Sequence, residues 1–221
     1  KLHPEDIRRF LADQQGVSRS PSNASQLASA LRSYFRYRTT CGDQVGELTT
    51  VISNPVHWKL ASLPRALSPD EADRLLKSFA TARRWPKRGY AIVRCALDLG
   101  LRAGEIARLM ISDIDWRVGT VMLRGTKSLR HDILPLPMET GLALADYLQH
   151  ERPHTRNPAI FIRCQGGRDQ PISSMAIQKV IKRAGRRIGL THFSAHALRH
   201  TLACRLVENG SSLKEVADVL R

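Results

Sequence analysis

The segment SAHALRHTLACRL, residues 194–206, carries an apolar helical pattern interrupted by cationic side chains. Its apolar residues recur at the spacing of an amphipathic helix with one buried face. They are Leu198, Leu202, Ala203 and Leu206. His196 and Arg199 are three positions apart, so on a helix they lie on one face about one turn apart. Because burying an arginine without a partner is costly, we expect a helix over 195–208 that turns His196 and Arg199 toward an anionic group. An exposed or internally satisfied pair is the competing interpretation of a lone His-x-x-Arg pattern.

Composition points to a polyanionic partner. The chain has 221 residues, of which 35 are Lys or Arg and 20 are Asp or Glu, giving a formal net charge of +15. A hydrophobic content of 42% is sufficient for a buried core. So large a positive charge favours nucleic acid as the partner, with an anionic membrane surface as the alternative. No uninterrupted apolar run approaches the roughly 18 residues of a membrane span, and no signal peptide opens the chain.

The cysteines and the known cofactor motifs give no indication of a bound group. The four cysteines are scattered and include no Cys-x-x-Cys pair. They are expected to be small buried hydrophobic residues in a reducing compartment. Phosphate-binding glycine loops, dinucleotide fingerprints and His-Glu-x-x-His motifs do not occur, so no metal and no cofactor is expected.

Periodicity divides the chain into two parts. Residues 1–58 begin with two helical, basic segments, and the Pro-containing stretch 59–66 is predicted to be a linker. Residues 67–221 are predicted to form a second domain that begins at a helix cap, Ser68-Pro69-Asp70-Glu71. Helices are expected at about 68–79, 87–99, 103–110, 139–150, 173–188 and 195–208. Segments 119–125 and 131–137 predict a hairpin and 159–163 a short strand, so the fold class is mostly α with a small antiparallel β-hairpin or sheet.

A second unusual motif is LDLGLRAGEIARL, residues 97–109. Arg102 stands at the start of a predicted helix, where a positive charge is unfavourable for the helix dipole. A bound anion would reverse that sign, since a guanidinium favours it. Glu105, three residues later, is expected to hold the guanidinium in place. The alternative is a surface ion pair of little energetic consequence.

The turn of the predicted hairpin is basic. The segment RGTKSLRHD, residues 124–132, places Arg124, Lys127 and Arg130 at its tip. Such side chains commonly contact phosphate or solvent. A lysine on a flexible loop can also donate a proton to a leaving oxygen.

Further basic residues are predicted to contact the DNA backbone. In the predicted helix 173–188 they share one face opposite the apolar one. They are Lys179, Lys182, Arg183 and Arg186, joined by Arg32 and Arg36 in the second N-terminal helix. A flat face of lysine and arginine positions a duplex more than it reads sequence.

Taken in order, the three motifs resemble the tyrosine recombinases of the phage integrase type. LGLRAGEIARLMISDID resembles the segment of that family's first catalytic arginine, and TKSLRHDILPLP resembles its β-hairpin. SAHALRHTLACRLVENGSSLKEVADVL is similar to the family's second conserved box. The resemblance implies that Arg102, Lys127, His196 and Arg199 are catalytic. From the residues alone, Glu105 is expected to support Arg102, and His200 to have either a packing or a supporting role. The resemblance also implies that residues 1–58 are part of a helical core-binding domain and 67–221 a catalytic domain.

The resemblance implies a function as well. A site-specific recombinase or integrase cuts and rejoins double-stranded DNA by transesterification through a 3′-phosphotyrosine, usually as a homo-tetramer on paired sites. Such a protein works in the cytoplasm, at the nucleoid of a bacterium or on phage or mobile-element DNA, and not at a membrane. The alternatives are a non-catalytic DNA-binding protein on an integrase scaffold and a relative of type IB topoisomerases.

The chain departs from the family pattern in one respect. The family continues with a further His or Trp and then a nucleophilic tyrosine, whereas no tyrosine here follows Arg199. The first residue is also not Met. We therefore expect a fragment truncated before the nucleophile, which binds DNA and does not cleave it alone.

Overall fold

The computed structural model describes residues 2–17, 21–53, 65–124, 132–164, 166, 169–191 and 193–220. The chain forms two compact units, residues 1–63 and 64–221. Most of the predicted linker, 59–64, lies outside the described residues, and the predicted domain bounds at 58 and 67 stay predictions.

The first unit is helical. Helices α1 (Pro4–Val17), α2 (Pro21–Thr40) and α3 (Gly46–Thr50) surround a small apolar core. Its buried residues are Ile7, Ala28, Phe35, Leu48 and Ile52. Two further aromatic residues of these helices, Phe10 and Tyr34, have exposed side chains.

Most of the second unit is helical as well. Its helices are α4 (Pro69–Lys77), α5 (Pro86–Asp98), α6 (Ala103–Arg108), α7 (Met138–His150), α8 (Ser174–Arg187), α9 (Ala195–Glu208) and α10 (Leu213–Leu220). These bounds confirm each helix expected in this unit to within a few residues. The predicted cap of α4 is present: Ser68 Oγ accepts the Glu71 N–H at 3.2 Å, and the Glu71 carboxylate accepts the Ser68 N–H at 3.0 Å.

Helix α5 is the centre of the larger core. Seven of its thirteen residues are buried, and it packs against α7, α8 and α9. Tyr147 of α7 stacks on Phe161 with their ring centroids 5.4 Å apart. On α8, a Cβ at Gly185 would lie 2.5 Å from Phe193, so this close approach of the chain before α9 requires glycine.

The sheet confirms the hairpin and adds one strand. Strand β1 (Ile114–Asp115) pairs with β2 (Thr120–Leu123), and β2 pairs with β3 (Asp132–Pro135), all antiparallel. The β2–β3 register runs from Thr120 opposite Pro135 to Leu123 opposite Asp132. The expected strand at 159–163 is wrong: this buried segment makes single bridges, Met110 to Ala159 and Ile162 to Pro171. Each bridge joins a different neighbour, so no continuous ladder forms.

The fold class predicted from the sequence, mostly α with a small antiparallel sheet, is thus confirmed. None of the helices within the described ranges is long and apolar enough to cross a membrane.

Candidate active site

The turn between α5 and α6 brings two distant segments together. Gly100 has a φ of +61°, a left-handed conformation that favours glycine. A Cβ at this position would lie 2.7 Å from a Leu220 methyl carbon and 3.0 Å from one of Leu202. The turn therefore packs directly against α9 and α10 only because residue 100 has no side chain.

Arg102 is held by a glutamate one helical turn later. Its backbone N–H donates to Glu105 Oε2 at 2.8 Å, and its guanidinium Nη1 donates to Oε1 at the same distance. The Glu105 side chain is 8% exposed whereas that of Arg102 is 52% exposed. The buried carboxylate thus binds both the backbone N–H and the guanidinium of Arg102, while half of the arginine side chain remains in solvent. This contact between Glu105 and Arg102 was expected from the sequence.

Arg199 reaches back to the same turn from α9. Its Nη1 donates to the Gly100 carbonyl at 2.7 Å, and its Nη2 donates to the Leu220 carbonyl of α10. These bonds aim the half-buried guanidinium at the segment that carries Arg102. The two arginines, 97 positions apart in the chain, are therefore neighbours in space.

Both arginines line one cavity of about 660 Å³. Helix α8 and the loop before α9 form its other walls. The lining residues are Arg102, Ala103, Gln178, Lys182, Thr191, Phe193, Ser194, Ala195, His196 and Arg199. The cavity is lined by two arginines, one lysine and one exposed imidazole, and no carboxylate is among the described residues that line it. Such a lining suits an anion with several oxygen atoms.

Sequence reasoning assigned Lys182 to general DNA contact and overlooked Gln178 and Thr191. Gln178 and Lys182 are four apart on α8, so they share one face. The sequence thus showed that Gln178 and Lys182 share a face of α8. It did not show that this face meets Arg102, because that depends on the packing of α6 against α8.

The other supporting and hairpin residues are placed differently. His200 is partly buried, with Nε2 3.6 Å from Cys204 Sγ, and is not among the cavity-lining residues. Lys127 and Arg130 lie outside the described residues. Arg124 forms an ion pair with the buried carboxylate of Asp113, Nε to Oδ1 at 2.6 Å. Half of its side chain remains exposed.

The basic face predicted on α8 is exposed. Lys179, Lys182, Arg183 and Arg186 all have exposed side chains, and Ile177, Ile181 and Ala184 are buried on the opposite side. In the first unit, Arg36 is exposed. Arg32 is partly buried and its Nε donates to the Ala28 carbonyl at 3.3 Å.

The tyrosines of the second unit do not reach the cavity. Tyr147 is fully buried, and burial raises the pKa of its hydroxyl to about 12. Tyr90 packs edge-on against Phe79, with ring centroids 6.1 Å apart. Neither residue lines the cavity. Within the described ranges, no group of three or more His, Cys, Asp and Glu side chains is arranged to hold a metal ion.

A protein-family model matches most of the second unit. The model described as the phage integrase family matches residues 65–221. This range contains the whole cavity and every predicted catalytic residue.

Curated proteins align along the full chain. A protein of Sinorhizobium fredii named as an integrase/recombinase is 33% identical over 223 residues, covering 100% of this chain and 54% of that protein. The tyrosine recombinase XerD of Listeria innocua is 28% identical over 225 residues, covering 99% of this chain and 74% of XerD. The chain spans about half the length of the Sinorhizobium relatives that it matches.

Solved structures share the fold. The crystal structure of XerA recombinase is 26% identical, with a TM-score of 0.62, and the match covers 100% of this chain and 74% of XerA. A lambda integrase tetramer bound to a Holliday junction superposes with a TM-score of 0.74 at 19% identity, covering 100% of this chain and 64% of the integrase. At that identity the likeness concerns the fold alone.

Proposed function

We propose that this chain, which belongs to the phage integrase family of tyrosine recombinases, binds duplex DNA and holds one backbone phosphate in the cavity between α6, α8 and α9. The observation that carries the proposal is the convergence of Arg102, Lys182, His196 and Arg199 on that cavity. These residues come from three separate segments of the chain. Their only common chemistry is the binding of an anion.

The geometry suits stabilisation of charge during strand cleavage. When an oxygen nucleophile attacks phosphorus, negative charge grows on the non-bridging oxygens of the pentacoordinate transition state. Arginine is permanently charged and matches two such oxygens at once. By analogy with other fixed donors aimed at developing charge, we expect Arg102 and Arg199 each to contribute about 3–4 kcal/mol of transition-state stabilisation.

The proposed reaction is a transesterification. A tyrosine oxygen forms a bond to phosphorus, the 5′-oxygen of the next nucleotide leaves with its electron pair, and a 3′-phosphotyrosine results. His196, which lines the cavity, would hydrogen-bond the phosphate or assist proton transfer. Lys127 would donate the proton that the leaving 5′-oxygen needs. Its assignment rests on the family resemblance, because residue 127 lies outside the described ranges.

The nucleophile is proposed to be a tyrosine that is not among the four in this sequence. Tyr90 and Tyr147 are packed away from the cavity, and Tyr34 and Tyr37 precede Arg102 in the chain. In the family the nucleophile follows the second arginine. The 221 residues would then bind DNA without cutting it.

Assembly and location follow the same reasoning. One solved neighbour is a lambda integrase tetramer on a Holliday junction and another is a lambda integrase dimer on a core site. We propose that the whole protein likewise assembles on paired DNA sites, in the cytoplasm at the nucleoid. The basic face of α8 would then contact the duplex backbone.

A second candidate function is DNA binding without catalysis. It is favoured by the observation that no tyrosine lines the cavity in the described part of the chain. The two candidates differ in whether a covalent bond to DNA forms.

Covalent capture on a nicked duplex tests the catalytic proposal. The protein, in a form that includes the tyrosine downstream of Arg199, is incubated with a duplex whose nick lets the cleaved end diffuse away. We expect a covalent protein–DNA adduct that Arg199→Ala reduces about 10²–10³-fold. Arg117→Ala, which removes the same charge from an exposed turn, is the control and should leave adduct formation unchanged. No adduct at all, or one that Arg199→Ala leaves undiminished, would rule out this mechanism.

Salt dependence tests DNA binding with the 221 residues themselves. Affinity for duplex DNA should fall steeply with salt, because each neutralised phosphate releases counterions. Removing the Lys182 charge by Lys182→Gln should lower the slope of log affinity against log salt by about 0.9. An affinity that does not vary with salt would contradict the proposal.

A further inference from the structure

Helix α8 has a second cavity on its other side. This cavity has a volume of about 310 Å³ and lies between α8, the start of α5 and the segment around Cys164. Ala176, Val180, Arg183 and Arg187 of α8 line it, whereas Gln178 and Lys182 line the active-site cavity. The two cavities share no lining residue. They are separate sites with one helix as the wall between them.

The second cavity is lined by five arginines, contributed by α8, by the turn before α5, by α5 itself and by the Cys164 segment. They are Arg84, Arg88, Arg163, Arg183 and Arg187. Within the described part of the chain, none of the five forms an ion pair with a carboxylate. This differs from Arg94, Arg102 and Arg124, each of which pairs with an Asp or a Glu. Four of the five, all but Arg88, are exposed, so water and salt screen their mutual repulsion, and an anion bound among them would be attracted by all five.

Two of the five guanidinium groups are held in place by aromatic rings. The Arg88 guanidinium carbon lies 5.3 Å from the ring centroid of Trp85, and that of Arg187 lies 4.5 Å from the centroid of Phe79. Stacking fixes the plane of a guanidinium and leaves its N–H edge free to donate. Because the ring faces are already covered by the protein's own arginines, the cavity offers donors and not a platform for a nucleobase.

Arg88 and Arg187 are also partly desolvated. The buried Nε of Arg88 has no hydrogen-bond partner among the described residues. Its Nη1 donates to the Ile162 carbonyl at 3.2 Å and contacts Cys164 Sγ at 2.7 Å. Among the described residues Arg187 donates only to Ser78 Oγ, and partial burial lowers the pKa of its guanidinium although the residue stays exposed. Partly desolvated charged donors are stabilised by an incoming oxyanion.

The nearby helix terminus does not provide the site. The first N–H groups of α5 already donate to the Glu151 carboxylate, from Lys87 N at 3.3 Å and Arg88 N at 2.6 Å. The donors available to a ligand in this cavity are therefore the side chains of the five lining arginines, not the backbone N–H groups of α5.

We propose that this cavity is a second anion-binding site, separate from the active-site cavity, which takes a phosphate group. Its volume is at the lower end of the range for ligand pockets, about 300–1,000 Å³. That space suits one or two phosphates with their sugar. The phosphate can come from the backbone of DNA that lies along α8 or from a small polyphosphate or nucleotide. The proposal does not depend on the reaction proposed above.

Cys164 provides a direct test, because its thiol lines the cavity and contacts Arg88. The rate of its alkylation is measured by mass spectrometry at one alkaline pH, since burial raises the pKa of this thiol. Pyrophosphate should slow alkylation saturably, about tenfold at ten times its Kd. The half-buried Cys204, outside the cavity, should be unaffected by pyrophosphate. Sodium chloride of equal ionic strength is the control for screening.

Two variants and a matched control locate the effect. Arg84→Gln and Arg183→Gln remove exposed charges that line the cavity, so each should weaken the protection of Cys164 by pyrophosphate. Arg83→Gln makes the same change one position away, at a residue that does not line the cavity, and should keep full protection. Equal protection in all three variants, or none in the unmodified chain, would overturn the proposal.

The arms of the experiment separate the sources of the phosphate. Protection by short duplex DNA as well as by pyrophosphate identifies backbone phosphate, and protection by pyrophosphate alone identifies a small ligand. Protection by an acidic peptide without any by either phosphate probe would overturn the phosphate assignment in favour of a protein partner. Because Arg199→Ala tests the adduct and these variants test Cys164, failure of one proposal is distinguishable from failure of the other.

Discussion

Two helices of the second unit begin in the same way and serve different purposes. At the start of α4, the Glu71 carboxylate accepts the N–H of Ser68 at 3.0 Å, and at the start of α6 the Glu105 carboxylate accepts the N–H of Arg102 at 2.8 Å. In α4 the capping serine reciprocates by accepting the Glu71 N–H. In α6 the capping residue is an arginine, which has no acceptor, and the glutamate binds its guanidinium instead.

The residue that caps each helix, serine in α4 and arginine in α6, separates a structural helix start from a candidate functional one. Ser68 caps α4 by accepting the Glu71 N–H, and its side chain does not line the cavity. Arg102 places a positive charge where the helix dipole disfavours it, and its guanidinium, bonded to the capping glutamate, lines a cavity. Serine is the preferred residue at a helix start, and departures from such local rules are typical of functional positions. The following predictions separate stability from chemistry at the two helix starts.

The largest expected effect is on chemistry at α6. Arg102→Ala should slow adduct formation on a nicked duplex by about 10²–10³-fold, because one fixed cation is lost from the transition state. The unfolding free energy should also fall, by about 1–3 kcal/mol, because the buried Glu105 carboxylate loses its guanidinium partner, so the rates are compared far below the melting temperature. Arg65→Ala is the matched control: this arginine contacts Glu71 at 3.3 Å and its side chain is 79% exposed. A loss of stability in Arg102→Ala with normal cleavage would mean that Arg102 serves the fold and not the chemistry.

Glu105→Gln should lower both the unfolding free energy and the rate of adduct formation. The amide keeps one acceptor for the Arg102 N–H but loses the charge that holds the guanidinium. We expect unfolding free energy to fall by about 1–2 kcal/mol. Adduct formation should slow by less than in Arg102→Ala. The readout specific to positioning is the rate measured far below the melting temperature, where a merely structural role would leave it normal. Glu105→Asp, which keeps the charge with a shorter reach, should restore part of the rate.

The sequence predicts local features of the structure and misses contacts between distant segments. The capping pattern of Ser68 and Glu71 and the apolar face of α8 are local signals, and both gave correct helix starts and burial. The pairing of Arg102 with Glu105 was local too. The bond from Arg199 to the Gly100 carbonyl joins residues 99 positions apart, and no local period encodes it. The same is true of the five arginines around the second cavity, which only the packing of α5 against α8 brings together.

The third prediction concerns α4 alone. Ser68→Ala removes the acceptor for the Glu71 N–H and should lower the unfolding free energy by about 1 kcal/mol. Adduct formation should keep its normal rate, because nothing at this helix start contacts the cavity. Chemical denaturation followed by circular dichroism gives the first quantity. Ser68→Thr retains a hydroxyl acceptor and should recover most of the loss. A slower cleavage rate in the stable Ser68→Thr variant would mean that this helix start is coupled to the site.

The smallest expected effect is a pH dependence at the same cap. The hydrogen bond from the Ser68 N–H is the main cause that lowers the pKa of the Glu71 carboxyl below its usual 4.5. Since the pKa is lower in the folded state, the ionised carboxylate favours folding above the unfolded value, and this contribution disappears as pH falls through the folded one. Unfolding free energy should therefore decline on acidification from about pH 5 downward. Glu71→Gln should flatten that decline, and Glu215→Gln at the start of α10 should do the same, because a Ser212 N–H likewise lowers the pKa of Glu215. Identical acid profiles for Glu71→Gln and the unmodified chain would mean that the carboxylate charge adds nothing at this cap. The requirement for a charge would then be specific to Glu105, whose guanidinium partner lies at 2.8 Å, whereas the arginine beside Glu71 is 79% exposed and lies at 3.3 Å.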